Sequence, residues 1–167
     1  DDREMEELPF DINADVIEIT DADYGIWYMD AMDDPKKYDG KKIHFLALVY
    51  RPERKIKRGM FVPGRFAMTC CVEDIQFLGM KCKYKDSANM RHKSWIHLKA
   101  RVKNEFAKEY PDINFVGIER FQSVLALGVK SHEFDMDNLK LDEQLCFPLY
   151  VCSKEIIKRY KPFLELI

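Results

Sequence analysis

The chain has 167 residues, 47% hydrophobic and 13% aromatic, enough for one cored domain and too apolar for a disordered chain. Its net charge of -2 hides an asymmetry, because residues 1–23 hold ten acids and one base, about -9, which leaves the remainder at about +7. No run approaches the roughly 20 apolar residues that span a bilayer, and acids interspersed through the basic remainder favour a solvated surface over a nucleic-acid face. An abrupt start at Asp1 with no signal peptide is what a piece of a longer protein would show.

Residues 1–15 are expected to be a flexible acidic leader, followed by an extended segment at Val16–Ile19. Thr20 or Asp21 then caps a helix running to about Met32, with Tyr24, Trp27, Tyr28 and Ala31 three and four apart on one face. Pro35 blocks its continuation, and Asp39-Gly40 is a turn. Strands follow at 42–50, 60–72, 76–84, 94–102 and 113–121. The second is interrupted near Pro63-Gly64, and Gly79 marks a bulge or bend in the third. The fourth alternates cleanly: Ile96, Leu98, Ala100 and Val102 point one way, Trp95, His97, Lys99 and Arg101 the other.

The fold class predicted is mainly β: an OB-like five-stranded antiparallel barrel with a helix before it and a C-terminal helix. A twisted antiparallel sheet with flanking helices is the alternative. The barrel domain is placed at 16–123. A C-terminal extension at 124–167 holds a possible edge strand at Leu145–Val151 and a docked helix after Ser153, with an apolar stripe that includes Ile156, Tyr160 and Phe163.

The five cysteines, Cys70, Cys71, Cys82, Cys146 and Cys152, are an odd number, so at least one is free or paired between chains. There is no CxxC or HExxH, hence no zinc motif of standard spacing. The densest chemistry is Cys70-Cys71-Val72-Glu73-Asp74. Two thiolates and a carboxylate suit zinc, copper(I) or a trivalent metalloid, with a fourth ligand from a partner, from Cys82 or from water. The plainer reading is that Cys70 is a buried small hydrophobe. Alternation puts Cys71 on the face of Arg65 and Thr69, and Cys70 on that of Phe66 and Met68, so Cys71 is expected to be the more reactive thiol. Arg65 either binds an anionic ligand or pairs with Glu73 or Asp74 to pin the strand.

The histidines His44, His92, His97 and His132 show no ligand spacing and read as surface or half-buried residues. Only His44 and His97 are placed to converge on one face. Asp135-Met136-Asp137-Asn138 lacks the glycine and closing glutamate of a calcium loop and reads as a turn. The basic loop Arg51–Arg58 and the aromatics Phe45, Tyr50, Phe61 and Tyr84 would serve an oligonucleotide-binding OB module. Nucleic acid is not expected, because much of that aromatic set must fill the barrel. No nucleophile–base pair, phosphate loop or paired carboxylates point to catalysis, so the domain is expected not to be an enzyme.

Several motifs carry a resemblance. These are Ile19-Thr20-Asp21 with Tyr24, Asp34-Pro35 with Tyr38 and Gly40-Lys41, Phe61 to Asp74 ending in Cys-Cys-Val-Glu-Asp, Gly79-Met80, and Trp95 to Lys99. Over roughly residues 17–122 the chain is similar to the C-terminal soluble domain of the YcgQ-like two-component membrane permease subunits. Members carry N-terminal membrane helices, often with a His-rich segment, and are encoded beside a transporter similar to arsenical permeases. The resemblance implies a membrane-tethered accessory domain, extracytoplasmic, with an integral-membrane permease as its partner. The membrane helices and the His-rich segment are absent from this chain. The resulting expectation is a non-enzymatic accessory-subunit domain that binds a metal or metalloid through Cys70, Cys71 and Asp74. The alternatives are an oligonucleotide- or ligand-binding OB module and a thiol redox protein. The cofactor and the oligomeric state are left open.

Overall fold

In β2 (Lys42–Tyr50), Ile43, Phe45, Ala47 and Val49 are buried and the residues between them half-buried. In β6 (Trp95–Phe106), Ile96, Leu98, Ala100 and Val102 form the matching buried row. Successive strand residues point to opposite faces, so each strand offers one apolar side. The strands pair antiparallel, with Phe45 opposite Leu98 and Ala47 opposite Ile96, which brings the two rows together. The structure, a computed structural model, describes residues 7–51, 58–67, 76–106 and 120–133.

Five strands close into a barrel. β2 pairs with β6, β6 with β7 (Arg120–Ser131), β7 with β5 (Lys81–Lys83), β5 with β3 (Met60–Ala67), and β3 returns to β2. All these pairings are antiparallel except β5 with β7. Closure hides the edges an open sheet would present, and it selects the OB-like barrel over the twisted-sheet alternative. Two short strands lie outside the ring: β1 (Val16–Glu18) adds parallel to β2, and β4 (Gln76–Gly79) pairs with the second half of β3.

Four strands differ in extent from expectation; the expected fourth runs from Trp95 to Phe106 rather than from 94 to 102. β3 runs unbroken through Pro63-Gly64, with Pro63 opposite Val49 and Gly64 opposite Leu48. The expected third strand is two, β4 and β5, separated at Met80. The fifth barrel strand, described over Arg120–Ser131, runs past the expected end at 121, so the barrel continues beyond residue 123 into what the sequence assigns to an extension; residues 113–119 lie outside the described residues. β7 also carries a bulge: Lys99 faces Gly128 and Ala100 faces Ala126, leaving Leu127 as the extra residue. Leu127 is 45% exposed as a result.

Helix α1 (Tyr24–Asp33) begins with Trp27 N–H donating to Asp23 O at 3.0 Å, and the Asp23 side chain makes no capping bond. Its start therefore lies two to three residues beyond the expected Thr20 or Asp21 cap. It stops at Asp34, whose φ of -130° and ψ of 83° lie outside the helical region that a following proline disfavours. Tyr24, Trp27, Tyr28, Ala31 and Met32 are buried in one cluster with the barrel rows. Two hydroxyls tie the helix to β4: Tyr24 donates to Leu78 O at 2.7 Å and Tyr28 to Gly79 O at 3.0 Å. The expected edge strand and helix near the C-terminus lie outside the described residues.

Candidate functional site

Arg65 is the sequence-selected site residue that the structure describes. It sits on β3 opposite Leu78 and is 3% exposed. Its Nη1 donates to Asp21 Oδ1 at 2.5 Å and to Leu46 O at 3.0 Å, and its guanidinium lies 4.9 Å from the centre of the Trp95 ring. Nε is buried without a hydrogen-bond partner. A carboxylate that neutralises Arg65 is Asp21, from the segment entering α1; Glu73 and Asp74, the acids expected to pair with it, lie outside the described residues. A planar cation stacked on an aromatic face and bonded through Nη1 to Asp21 and Leu46 acts as a clamp between that segment, β2 and β6. An anionic ligand would have to displace Asp21 to reach it.

Cys70, Cys71 and Asp74 lie between the end of β3 at Ala67 and the start of β4 at Gln76, outside the described residues. The expected reactivity order of Cys70 and Cys71 likewise lies outside the described residues. At the end of β3, Arg65 and Ala67 are buried and Phe66 is half-buried. Cys82, considered as a fourth ligand, stands opposite Phe61 on β5 with no exposure. Burial pushes its thiol well above the ordinary range, so it is a core residue rather than a thiolate donor.

The β3–β4 ladder that leads to this motif is held unusually close. Gly64 and Gly79 are directly opposite, and a Cβ on Gly64 would come within 2.7 Å of the Phe77 ring and 2.8 Å of the Gly79 Cα. Phe77 meets Phe66 at 5.5 Å and Tyr50 at 5.9 Å between ring centres, and Tyr50 meets His92 at 5.3 Å. Of the four aromatics considered for base stacking, Phe45 and Phe61 are core residues, and Tyr50 and Tyr84 are half-buried against other rings.

A second cluster lies on the half-buried face of β2 and β6. His44 is opposite Glu18 on β1, and its Nδ1 is 2.6 Å from Glu18 Oε2. His97 is diagonal to His44, two residues along the ladder, and their rings stack with centres 6.0 Å apart and planes 18° apart. His97 Nε2 lies 2.9 Å from Nδ1 of His132, whose own N–H bonds to Trp95 O at 2.9 Å. The convergence of His44 and His97 was readable from strand alternation. His132 was not, because its place depends on the late course of β7.

Burial, first, pushes the His97 pKa below its ordinary value. The charges of His132, His44 and Lys130 push the same way, against Asp21. A row of imidazoles beside a carboxylate offers ring nitrogens that donate or accept according to their protonation. Among the described residues no three His, Cys, Asp or Glu side chains surround one point as a metal centre would require.

Comparison with known sequences adds two findings. Over 33 residues, a fifth of this chain, it is 52% identical to the organic hydroperoxide resistance transcriptional regulator of Bacillus subtilis (strain 168). That stretch spans 22% of the regulator, so the likeness is of a segment. The sequence profile described as the DUF1980 C-terminal domain matches residues 1–126, most of the chain and nearly all of the barrel. The chain therefore belongs to the DUF1980 C-terminal domain family.

Proposed function

We propose that this domain is the non-enzymatic part of an accessory subunit of an integral-membrane permease, tethered to the membrane by a segment outside this chain. In this reading it faces the extracytoplasmic side and binds a soft metal or metalloid through Cys70, Cys71 and Asp74. The observation that carries the reading is the placement of the motif. Two thiols and a carboxylate fall within five residues of the connection between β3 and β4. Those two strands are locked together by the Gly64–Gly79 contact and tied to α1 through the Tyr24 and Tyr28 hydroxyls. A connection anchored on a rigid ladder loses little entropy when it closes on an ion. The similarity to the permease-subunit domain supplies the transport setting.

Calorimetry of the reduced protein with zinc(II), copper(I) and arsenite tests the ligand. The expected result is binding that Cys70→Ser/Cys71→Ser abolishes; equal binding by both proteins, or none, removes the cysteines from the function. Co-purification of the full-length protein with the permease encoded beside it tests the partner.

A second reading, a thiol that responds to oxidant, draws on one observation: the short likeness to a regulator named for organic hydroperoxide resistance. Thiol titration in denaturant, before and after an organic hydroperoxide, tests it. A constant count of five thiols overturns it.

A further inference from the structure

The outward side of the barrel carries a charge that nothing described above uses. Alternate residues of β5, β6 and β7 fill the core, and those between them face away from it. The outward bases are Lys99, Arg101 and Lys103 on β6, Lys81 and Lys83 on β5, and Lys130 on β7. The outward residues of these three strands include one acid, Glu105. It accepts a hydrogen bond from Ser123 Oγ at 3.0 Å and lies 3.9 Å from Lys83 Nζ. Register gathers the bases. Lys83, Leu125, Arg101 and Lys42 form one row across four strands, and Lys81, Ser123 and Lys103 form the next. Neighbouring strands lie about 4.8 Å apart and same-face residues of one strand about 6.6–6.8 Å apart, so the patch is continuous. At its margin Asp15 meets Lys42 at 3.5 Å and Glu18 meets His44. The balance over the face stays positive.

Within this patch the bulge of β7 turns out Leu127, between the register positions of Lys99 and Arg101. Leu127 is the large apolar side chain left exposed among the described residues. We propose that the outward face of β5, β6 and β7 docks on a bilayer of anionic phospholipid. The lysines meet headgroup phosphates and Leu127 enters the boundary with the acyl chains. Five of the six bases are lysines, point charges on flexible stems, which suit a fluid array of headgroups; fixed carboxylates or phosphates of a macromolecule favour the planar fork of arginine. Single-stranded nucleic acid also calls for aromatic rings on which bases stack. On these rows Phe121 is buried and Trp95 is stacked against Arg65. The face uses none of the cysteines, so the proposal goes beyond the metal and permease reading and the two fail separately.

The test is co-sedimentation of the reduced full chain with phosphatidylcholine vesicles, with and without phosphatidylglycerol. Binding is expected to the anionic vesicles alone. Raising salt from about 0.1 M to about 1 M shortens the screening length from about 10 Å to about 3 Å and should release the protein. Lys99→Glu/Lys103→Glu is expected to weaken binding at least about twentyfold, since a lysine near such a surface is worth about fivefold. Leu127→Ser should weaken it about tenfold and leave it salt-sensitive. Arg91→Glu, in the turn before β6, should stay within about twofold of wild type. Melting temperatures identify any variant that fails to fold. A footprint on the wild type needs no variant: anionic vesicles should protect Lys99, Lys103 and Lys130 from an amine-labelling reagent and leave Lys93 open. No binding to anionic vesicles, binding unchanged in the folded double variant, or equal protection of all lysines overturns the proposal. Tighter binding to polyglutamate or to a single-stranded oligonucleotide, indifferent to Leu127→Ser, overturns it in favour of an acidic protein or a nucleic acid.

Discussion

The Arg65–Asp21 pair is asymmetric: the arginine side chain is 4% exposed and the aspartate 57%. Losing Asp21 strands a buried cation, whereas losing Arg65 leaves a carboxylate that water can solvate. Asp21→Ala is therefore expected to cost about 1–3 kcal/mol, and Arg65→Met, which keeps an apolar chain against Trp95, to stay within about 1 kcal/mol of wild type. Urea unfolding of both variants measures this, and the reverse order would show that the charge pair is not what holds the segment. His97 makes a second prediction at the same scale. Its pKa is lowered in the fold, so the unfolded chain binds more protons around and below the ordinary value of 6.5. The contribution of neutral His97 is present above that pH and is lost as pH falls below it. With a chelator present, stability should decline on acidification below about pH 6.5. His97→Gln should flatten the decline; an unchanged profile would place the titrating group elsewhere.

At the scale of elements, β3 and β4 depend on the absence of side chains at their crossing. A Cβ at residue 64 would lie 2.4 Å from the Leu78 carbonyl oxygen and 2.7 Å from the Phe77 ring. The first of these is backbone, so the ladder itself must part. Gly64→Ala is expected to destabilise by about 1–3 kcal/mol. It should also change the alkylation rate of Cys70 and Cys71, because both are carried by the connection between these strands. Thermal unfolding together with peptide mapping after brief alkylation tests the two effects. A variant with wild-type stability would mean that the ladder adjusts without strain.

At the scale of the molecule, closure makes stability uneven. β2 and β6 pair along most of their length and each buries a full apolar row, while β4 is four residues hydrogen-bonded to β3 outside the ring. Amide exchange should reflect this: the buried-row amides of β2 and β6 exchange only through global unfolding, and β4 opens at lower cost. Exchange in β6 as fast as in β4 would contradict a closed barrel as the cooperative unit.

Local periodicity by itself determined the strand at 42–50, the alternating part of β6 up to Val102, the aromatic face of α1 and its end before Pro35, because each signal is contained in neighbouring residues. The barrel class was readable for the same reason: short alternating runs between turn signals must curve to bury their apolar sides. Only the tertiary structure decided the rest. That Arg65 pairs with Asp21 depends on how the segment before α1 lies across β2. The meeting of His44, His97 and His132 joins residues 88 positions apart at most, brought together by the strand order β2–β6–β7. Spacing along a chain cannot encode such contacts, because they arise from register between strands that pair only once the barrel has closed.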